Sequence, residues 1–335
     1  MTGLLIRGDR IEITGDADEL ADAFPEAERH DLGNAVVVPG LHDAHQHITH
    51  AAENLLHLDL SADAVSSSAD VLEAITAEVS RRQAGSWIRG SRYDETKTSG
   101  GTPVDRFDLD EVAPEHPVLI TQVAGHWGIV NSRALELMGL DDLSEPPPGG
   151  EFGRDGAGRL NGILYENALI AIAYDGGRGE PVLPPTSQEQ RLAGLGQAIE
   201  MFHAAGLTSV TDAFVGPADL DLLRRAATAG SLTMRVNYLV GIEHDSLWRA
   251  ETVRTAGQDV PDPWLNYLGV KTFVDGAIAG RTCNVHQPFE GTGDHGMQVV
   301  AADELHDMVR SVHDAGSRIG VHANGDRAIE ILLDQ

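Results

Sequence analysis

The sequence predicts an α/β fold built around a parallel β-sheet. From residue 186 onward, strand-like apolar runs alternate with helical stretches at βαβ spacing, a pattern typical of parallel sheets. The strand runs LTSVTDAF and LNYLGVKTFVD are nearly continuous in apolar residues, as expected where both faces of a sheet are covered. Hydrophobic residues make up 41% of the 335 positions, which is enough to bury a sizeable core.

The N-terminal segment predicts a small β element. LLIRG and RIEITGD read as two short strands, and the apolar run AVVV precedes Pro39 and Gly40. Residues 41–48 continue as the end of a strand. We therefore divide the chain into a small β element at 1–40 and a larger α/β domain at 41–335.

The region of about 60–170 is less regular and is predicted to be an insertion. Periodic apolar residues predict a helix over Asp70–Gln83, and VLITQV at 118–123 predicts a strand. The composition of SEPPPGGEFGRDGAGRLNG, at 144–162, indicates a loop or hairpin.

The regular pattern begins with a predicted capping box of Thr186 and Glu189, and the helix that follows runs to Ala205 and ends at Gly206. A further helical stretch is expected after residue 241. The remaining predicted strands and helices are LTSVTDAF, PADLDLLRRAATAG, LTMRVNYLV, LNYLGVKTFVD, AADELHDMVRSVHDAG, RIGVHAN and DRAIEILLDQ.

Composition excludes several classes of protein. A formal charge of −28 repels phosphate backbones and anionic headgroups, so neither nucleic-acid nor membrane partners are expected. The N-terminus lacks the pattern of a signal peptide, and no apolar run is long enough for a transmembrane helix, so a cytoplasmic location is expected. The single cysteine excludes a disulfide framework and a cysteine-rich zinc site, so any metal would use histidines and carboxylates.

The first candidate site is the pair His45 and His47. Alternate residues of a strand point the same way, so the two imidazoles are expected to converge at the carboxyl end of a strand, where barrel enzymes place their active sites. The alternative is two surface histidines on a loop. His42 and His50, offset by three, are expected on the opposite strand face, and His57 is not expected to be a ligand.

Five segments in order resemble the amidohydrolase superfamily, specifically the amidohydrolase-3 branch of YtcJ-like and formamide-deformylase-like enzymes. The resemblance covers nearly the whole chain, and it implies that the β element at 1–40 is part of a composite β-sandwich domain. Its segments are VVVPGLHDAHQH, SWIRGSRYDE, VAPEHPVLITQVAGHWGIVNSRALELMGL, GVKTFVDGAIAGRT and VHANGDRAIE.

The resemblance implies a metal-dependent hydrolase with a (β/α)₈ barrel, also called a TIM barrel, and a ligand set for one or two divalent ions, with zinc expected. The implied ligands are His45, His47, Lys271 and His322. Lys271 is one of only two lysines, and the resemblance implies that it is carboxylated. The ordinary alternative is a lysine paired with Asp275.

The resemblance also implies a substrate-binding group. His126 would lie near the mouth of the site, Trp127 would form an apolar wall, and Asp275 and Arg281 would shape the site or contact substrate. The expected partner is a small-molecule substrate, and assembly as a homodimer is compatible with the family.

The resemblance further implies that the barrel is incomplete. A histidine of the sixth strand and an aspartate of the eighth strand, the usual general base, have no counterpart up to Gln335. We therefore expect about strands one to five of a C-terminally truncated barrel, with no catalytic residue within the chain and the general base beyond residue 335.

The predicted reaction is hydrolysis of a non-peptide carbon–nitrogen bond in an amide, formamide or cyclic amide. The metal would lower the pKa of a water molecule and polarise the carbonyl group. Two alternatives stay open. One is a catalytically inactive fragment or pseudoenzyme that binds metal or ligand, and the other is an esterase or lactonase on the same fold.

Overall fold

The computed structural model describes residues 2–98, 100, 102–173, 182–242 and 263–335. The chain divides into two compact units, residues 1–39 and residues 40–335. The helical stretch predicted after residue 241 lies outside the described residues.

The first unit is a β-hairpin followed by a helix. β1 (Gly3–Arg7) and β2 (Arg10–Gly15) pair antiparallel, as the sequence predicts. Gly8 in the turn has a φ of +63°, a conformation that tight hairpins require and that glycine adopts without strain. α1 (Ala17–Ala23) follows, and the side chain of Asp16 accepts hydrogen bonds from two backbone N–H groups of its first turn.

The strand character predicted for residues 35–38 was wrong. This run pairs with no described strand, and Val36 and Val38 are 85% and 69% exposed. An apolar, β-branched sequence gives strand propensity only, and a strand also requires a neighbouring strand to complete its hydrogen-bond ladder.

The second unit contains a parallel five-stranded sheet whose strands all end at the same edge. Each of its strands matches one that the sequence predicts. In spatial order the strands are β13 (Ile319–His322), β12 (Leu265–Phe273), β11 (Arg235–Gly241), β10 (Leu207–Val215) and β3 (Leu41–Gln46).

Helices cover this sheet and form its core. Ile48, Leu195, Val210 and Leu223 are nearly fully buried in one cluster, and Met308 lies at the centre of a second cluster near β12. Within the described residues, no helix is long and apolar enough to span a bilayer. The helices of this layer are α2 (Ile48–Asn54), α8 (Gln188–Ala204), α9 (Pro217–Thr228), α10 (Ala302–Asp314) and α11 (Asp326–Leu333).

A mixed six-stranded sheet lies between β3 and β10 in the sequence. Its first strands pair parallel and its last strands pair antiparallel. The predicted loop or hairpin at 144–162 contributes the β8–β9 pair. In spatial order the strands are β4 (Leu58–Asp59), β5 (Ile88–Tyr93), β6 (Val118–Gln122), β7 (Trp127–Val130), β9 (Leu160–Glu166) and β8 (Gly150–Arg154).

Five helices belong to this part of the chain. The helix predicted over residues 70–83 is present, shifted toward the N-terminus as α3. The five helices are α3 (Ser68–Val79), α4 (Glu95–Thr98), α5 (Arg106–Val112), α6 (Ser132–Leu137) and α7 (Asn167–Ala173).

The capping box of α8 lies one residue later than predicted. Ser187 and Gln190 form it, not Thr186 and Glu189. The Thr186 hydroxyl instead donates a 2.6 Å hydrogen bond to Glu53 Oε1. The sequence pattern is compatible with a capping box that starts at residue 186 or at residue 187. The long-range contact between Thr186 and Glu53 accompanies the capping box that starts at residue 187.

Glu53 of α2 connects the two sheets through a largely buried ionic network. Arg89 of β5 donates to Glu53 Oε1 over 3.0 Å, and His57 Nε2 lies 3.6 Å from the same oxygen, an ion-pair contact too long for a hydrogen bond. Burial raises the pKa of Glu53, but the surrounding His57, Thr186 and Arg89 outweigh it and lower that pKa from 4.5 to about 2.

We predict that Glu53→Gln lowers the free energy of unfolding at pH 7 by about 3 kcal/mol, because each pKa unit corresponds to roughly 1.4 kcal/mol. A folded-state pKa below the unfolded value stabilises above the unfolded pKa, and this stabilisation is lost as pH falls from 4.5 toward 2. Urea denaturation should therefore show a wild-type-to-variant difference at pH 3 that is less than half of the difference at pH 7. The exposed change Glu73→Gln is the control, and an equal loss at both pH values would contradict the assignment.

Candidate metal and substrate site

The two histidines of the His-x-His pair lie together at the carboxyl end of β3, with ring centroids 5.4 Å apart. The prediction that both sit on one strand was wrong in detail. β3 ends at Gln46, and His47 is the N-cap residue of α2, with φ −128° and ψ 71°. The rings meet edge to face because the chain turns from strand to helix between them, not because strand residues alternate.

His50 also lies beside this pair, contrary to the prediction that it occupies the opposite face. It is a residue of α2, and its ring stacks on His47 at a centroid distance of 5.5 Å and an interplanar angle of 19°. His42 does remain apart, because its Nε2 is 3.0 Å from Thr211 Oγ1. The helix that begins at Ile48 is the reason that an offset of three brings His50 next to His47.

A buried carboxylate lies behind His47. Asp212 of β10 is fully buried, and one of its oxygens accepts hydrogen bonds from the backbone N–H and the hydroxyl of Thr49. Its other oxygen lies 3.7 Å from His47 Nδ1, which is buried without a hydrogen-bond partner. A carboxylate behind one ring nitrogen orients the imidazole and directs its other nitrogen outward, an arrangement common behind metal-binding histidines.

Lys271 of β12 is 4% exposed, and burial lowers the pKa of its ammonium group. Its Nζ lies 5.0 Å from the centroid of the Phe273 ring. No described acidic side chain lies within ion-pair distance, and Asp275, the partner of the ordinary alternative, is engaged elsewhere. A buried lysine without an acidic partner is unfavourable as a cation, so this position favours the neutral amine.

His322 closes β13, and its Nε2 lies 3.0 Å from the backbone oxygen of Gly276. Since a carbonyl oxygen only accepts, the hydrogen bond to Gly276 requires the hydrogen on Nε2 and leaves the lone pair on Nδ1. The amide nitrogen of Asn324, which lies 3.1 Å from the same Nε2, then donates to the Gly276 oxygen over 3.2 Å. Burial, with the nearby charges of His126 and Lys271, lowers the pKa of His322 despite this hydrogen bond. The neutral ring with one free nitrogen is the form that binds metal.

A continuous series of rings crosses the concave face of the five-stranded sheet from β3 to β13. Successive centroid distances lie between 5.3 and 6.4 Å. In order the rings are His47, His50, Phe214, Phe273 and His322. The strand ends of one sheet therefore bring residues from opposite edges into one site.

The surroundings of His45 lower its pKa. Burial lowers its pKa most, and the positive charges of Lys271, His47 and His322 lower it further. Positive charges that lie close together disfavour one another's protonation. The deprotonated side chains, which can bind a cation, are therefore favoured here over four charged ones.

The donor set fits a divalent metal in chemistry, with one limit. The observations in favour are the ring nitrogen of His47 that Asp212 directs outward, the free nitrogen of His322 and the unpaired amine of Lys271. Across the described ranges, however, no three His, Cys, Asp or Glu side chains lie close enough together to hold an ion by themselves. The ligand set expected at this edge therefore includes Lys271 as well as the histidines.

His126 reaches the same face from the six-stranded sheet. Its ring lies 5.2 Å from the ring of His322, and its Nδ1 is 2.8 Å from Oε2 of Glu166, a buried carboxylate. Sequence reasoning missed Glu166, which is 40 residues from His126. The only local signal would have been an acidic residue at the end of a continuous apolar strand.

Trp127 is 4% exposed and packs between Tyr93 and Tyr165, with ring centroids 6.4 and 6.1 Å away. It is therefore part of the core of the six-stranded sheet, and its indole Nε1 is buried without a hydrogen-bond partner. Gly280 lies against this ring, because a Cβ there would be 3.1 Å from Trp127 Cδ1.

Asp275 is fully buried and holds the strand ends together. Its oxygens accept hydrogen bonds from the backbone N–H groups of Asn284, Asn324 and Gly325 at 2.7–2.9 Å. This geometry makes it a structural connection between β12 and the start of α11. Arg281 lies on the exposed surface of the same loop, with a φ of +55°.

Comparison with known proteins identifies similar chains. The model of the amidohydrolase family matches residues 28–335. The N-substituted formamide deformylase of Arthrobacter pascens is 31% identical over 99% of this chain and 61% of its own length. YtcJ of Bacillus subtilis (strain 168) is 29% identical over 99% of this chain and 63% of its own length. The chain thus spans less than two thirds of these relatives.

A solved structure of similar fold is an uncharacterized metal-dependent hydrolase from Pyrococcus furiosus. It is 24% identical, with a TM-score of 0.65, and the match covers 99% of this chain and 65% of that one. At this identity the likeness supports the fold, and the parallel five-stranded sheet described above corresponds to part of a (β/α)₈ barrel.

We predict that Asp212→Asn weakens binding of a divalent metal 10- to 100-fold, the usual cost of losing the partner behind a metal-binding histidine. Competition against a chromophoric chelator measures this affinity, and thermal unfolding shows whether the variant folds. The exposed helix residue Asp221, changed to Asn, removes the same charge away from the site and should leave affinity unchanged. Equal affinities in Asp212→Asn and the wild type would show that Asp212 does not support His47.

Proposed function

Because the chain belongs to the amidohydrolase family, we propose that it hydrolyses a non-peptide carbon–nitrogen bond with the help of a divalent metal. The observation that carries the proposal is Lys271, a buried lysine with no acidic partner, which is electrostatically coupled to both His45 and His322. A lysine in that position has a clear use as a metal ligand and is otherwise a cost to folding.

The proposed ligands are His45, His47, Lys271 and His322. A bound divalent ion, with zinc as our first candidate, supplies Lewis-acid chemistry that polarises the substrate carbonyl and activates water. The residues of this chain hold neutral imidazoles toward that position, and Asp212 and the Gly276 carbonyl fix the orientation of His47 and His322.

We propose that the substrate is an amide, a formamide or a cyclic amide. The deformylase from Arthrobacter pascens, whose name specifies N-substituted formamides, supports the formamide among these. The aromatic rings of Phe214 and Phe273 on the concave face offer apolar contact to a substituent on nitrogen.

The lysine is proposed to act as a carbamate. A neutral amine adds CO₂ and releases a proton, which leaves an anion with two oxygen ligands. The lowered pKa of Lys271, caused by burial, increases the fraction of amine available for this reaction at neutral pH. The carbamate would also replace a disfavoured buried cation by an anion that a bound divalent ion would stabilise.

Lys271→Met tests the metal proposal, and the protein provides its own control, since Lys97 is the only other lysine. We expect Lys271→Met to lose bound metal, measured by mass spectrometry of the elements after reconstitution, while Lys97→Met retains it. Hydrolysis of an amide, formamide and cyclic amide panel should fall by more than about 100-fold, because even loss of a supporting residue costs 10- to 100-fold. Because the general base is expected beyond residue 335, both measurements are also made on a chain extended at its C-terminus. An extended chain that binds no metal and hydrolyses no panel member would refute the enzyme and favour a pseudoenzyme.

The carbamate is tested separately with ¹³C-labelled bicarbonate. A carbamate resonance in the ¹³C spectrum is expected for the wild type and for Lys97→Met, and it should be missing from Lys271→Met. A metal-loaded wild type that shows no such resonance, while retaining its metal, would leave Lys271 as a neutral amine ligand instead.

A further inference from the structure

The His126 ring is held by a hydrogen-bonded chain that is built into the fold. Glu166 Oε2 lies 2.8 Å from His126 Nδ1, and the backbone N–H of Glu166 donates to the backbone oxygen of His126 over 2.8 Å. Glu166 also has a φ of +47°, which non-glycine residues rarely adopt. Both the backbone and the side chain of Glu166 therefore bind the same histidine.

The directions of these hydrogen bonds fix the position of the proton on the ring. The backbone N–H of Ala277 donates to Thr282 Oγ1 over 2.9 Å, and the Thr282 hydroxyl in turn donates to Glu166 Oε1 over 2.6 Å. The carboxylate accepts at one oxygen from Thr282 and at the other from His126. A carboxylate only accepts hydrogen bonds, so the hydrogen of this contact lies on His126 Nδ1.

The space around the carboxylate is closed. A Cβ at Gly276 would lie 2.1 Å from Glu166 Oε1 and 2.2 Å from Thr282 Oγ1, so only glycine fits there. The same residue, Gly276, provides the carbonyl oxygen that binds His322 Nε2. The loop after β12 thus sets the orientation of both histidines at once.

The other nitrogen of His126 is the one available to a ligand. The ring lies 5.2 Å from His322 and 6.3 Å from Phe273, on the face where the proposed metal ligands meet. Its Nε2 makes no hydrogen bond with any residue that the structure describes, and it is not among the buried polar atoms without a partner. With the proton on Nδ1, Nε2 presents a lone pair toward the site.

We infer that His126 Nε2 accepts a hydrogen bond from the N–H group of the substrate, and that Glu166 is the positioning residue that keeps Nε2 an acceptor. The site then selects secondary amides and formamides over tertiary amides, esters and lactones, which have no such N–H. This inference rests on the proposed function for the identity of the substrate. It gives a physical reason to expect an amidase rather than an esterase on the same fold. With an ester, His126 Nε2 would face an oxygen that has no hydrogen to donate, and this acceptor would stay unpaired.

The tautomer can be measured directly. A long-range ¹H–¹⁵N correlation spectrum of the zinc-loaded chain reports which ring nitrogen of each histidine is protonated, and the spectrum of His126→Gln identifies the signals of residue 126. We expect a protonated Nδ1 and an unprotonated Nε2 in the wild type. In Glu166→Gln the amide can donate to Nδ1 while its oxygen still accepts from Thr282, so the ring should change to the Nε2–H tautomer.

Selectivity is measured with a matched pair of probes, N-phenylformamide and N-methyl-N-phenylformamide. The preference is the ratio of Kd values, or of kcat/KM values where a probe is hydrolysed. We expect the wild-type preference for the N–H probe to exceed that of Glu166→Gln by about tenfold, the usual effect of one hydrogen bond. Comparing the ratio between proteins cancels the bulk of the methyl group. The exposed change Glu73→Gln should alter neither the tautomer nor the ratio, and Thr282→Ser should preserve both while Thr282→Val weakens the preference.

The outcomes separate this inference from the proposed function. An Nε2–H tautomer of His126 in the wild type overturns the inference. So does a preference ratio that is equal in the wild type and Glu166→Gln, and so does a wild type that binds neither probe. If the chain shows the expected tautomer and the expected ratio but hydrolyses nothing, the proposed hydrolase is refuted. His126 then remains a residue that accepts a hydrogen bond from the N–H group of a ligand. If Glu166→Gln fails to fold, the wild-type tautomer and the Thr282 pair still decide the question.

Discussion

The burial of Lys271 without an acidic partner is the constraint on which the site depends. The strand that carries it lies between two other parallel strands, so its side chain cannot leave the concave face without moving the sheet. An ammonium group there is unfavourable, and the aromatic face of Phe273 at 5.0 Å compensates only in part. The surrounding residues suit a neutral or anionic group, since His45 and His322, whose pKa values the charge of Lys271 lowers, are themselves histidines with lowered pKa values.

The two sheets contribute different things to this face. The five-stranded sheet brings His45, Lys271 and His322 together because parallel strands end at one edge. The six-stranded sheet contributes His126. The orientation of its ring is set by the carboxylate of Glu166, at the end of β9 in the same sheet, and by the hydroxyl of Thr282 in the loop after β12. Glu53 links the two sheets through its contact with Arg89. The placement of His126 relative to the residues of the five-stranded sheet therefore does not depend on the site alone.

The sequence was sufficient for the elements and the ligand candidates, and insufficient for their local geometry. The alternation of strands and helices from residue 186 onward predicted β10, β11, β12 and β13, and the segment at 41–48 predicted β3. Strand periodicity failed at His47, because the strand ends one residue earlier, and it therefore misplaced His50. Glu166 was not predicted, because its role depends on a left-handed backbone conformation and on a hydroxyl 116 residues away, neither of which leaves a local pattern.

Gly276 shows why the proposed metal ligand His322 and the proposed substrate-binding residue His126 are coupled even though they come from separate sheets. Its missing side chain makes room for the carboxylate that orients His126, and its carbonyl oxygen orients His322. Asp275, the preceding residue, accepts three backbone hydrogen bonds and so holds this short segment in place. A shift of this segment would turn both imidazoles together, because the orientation of each depends on Gly276. The buried Asp275 is therefore more valuable to the site as an anchor of the loop than it could be as a direct contact to substrate.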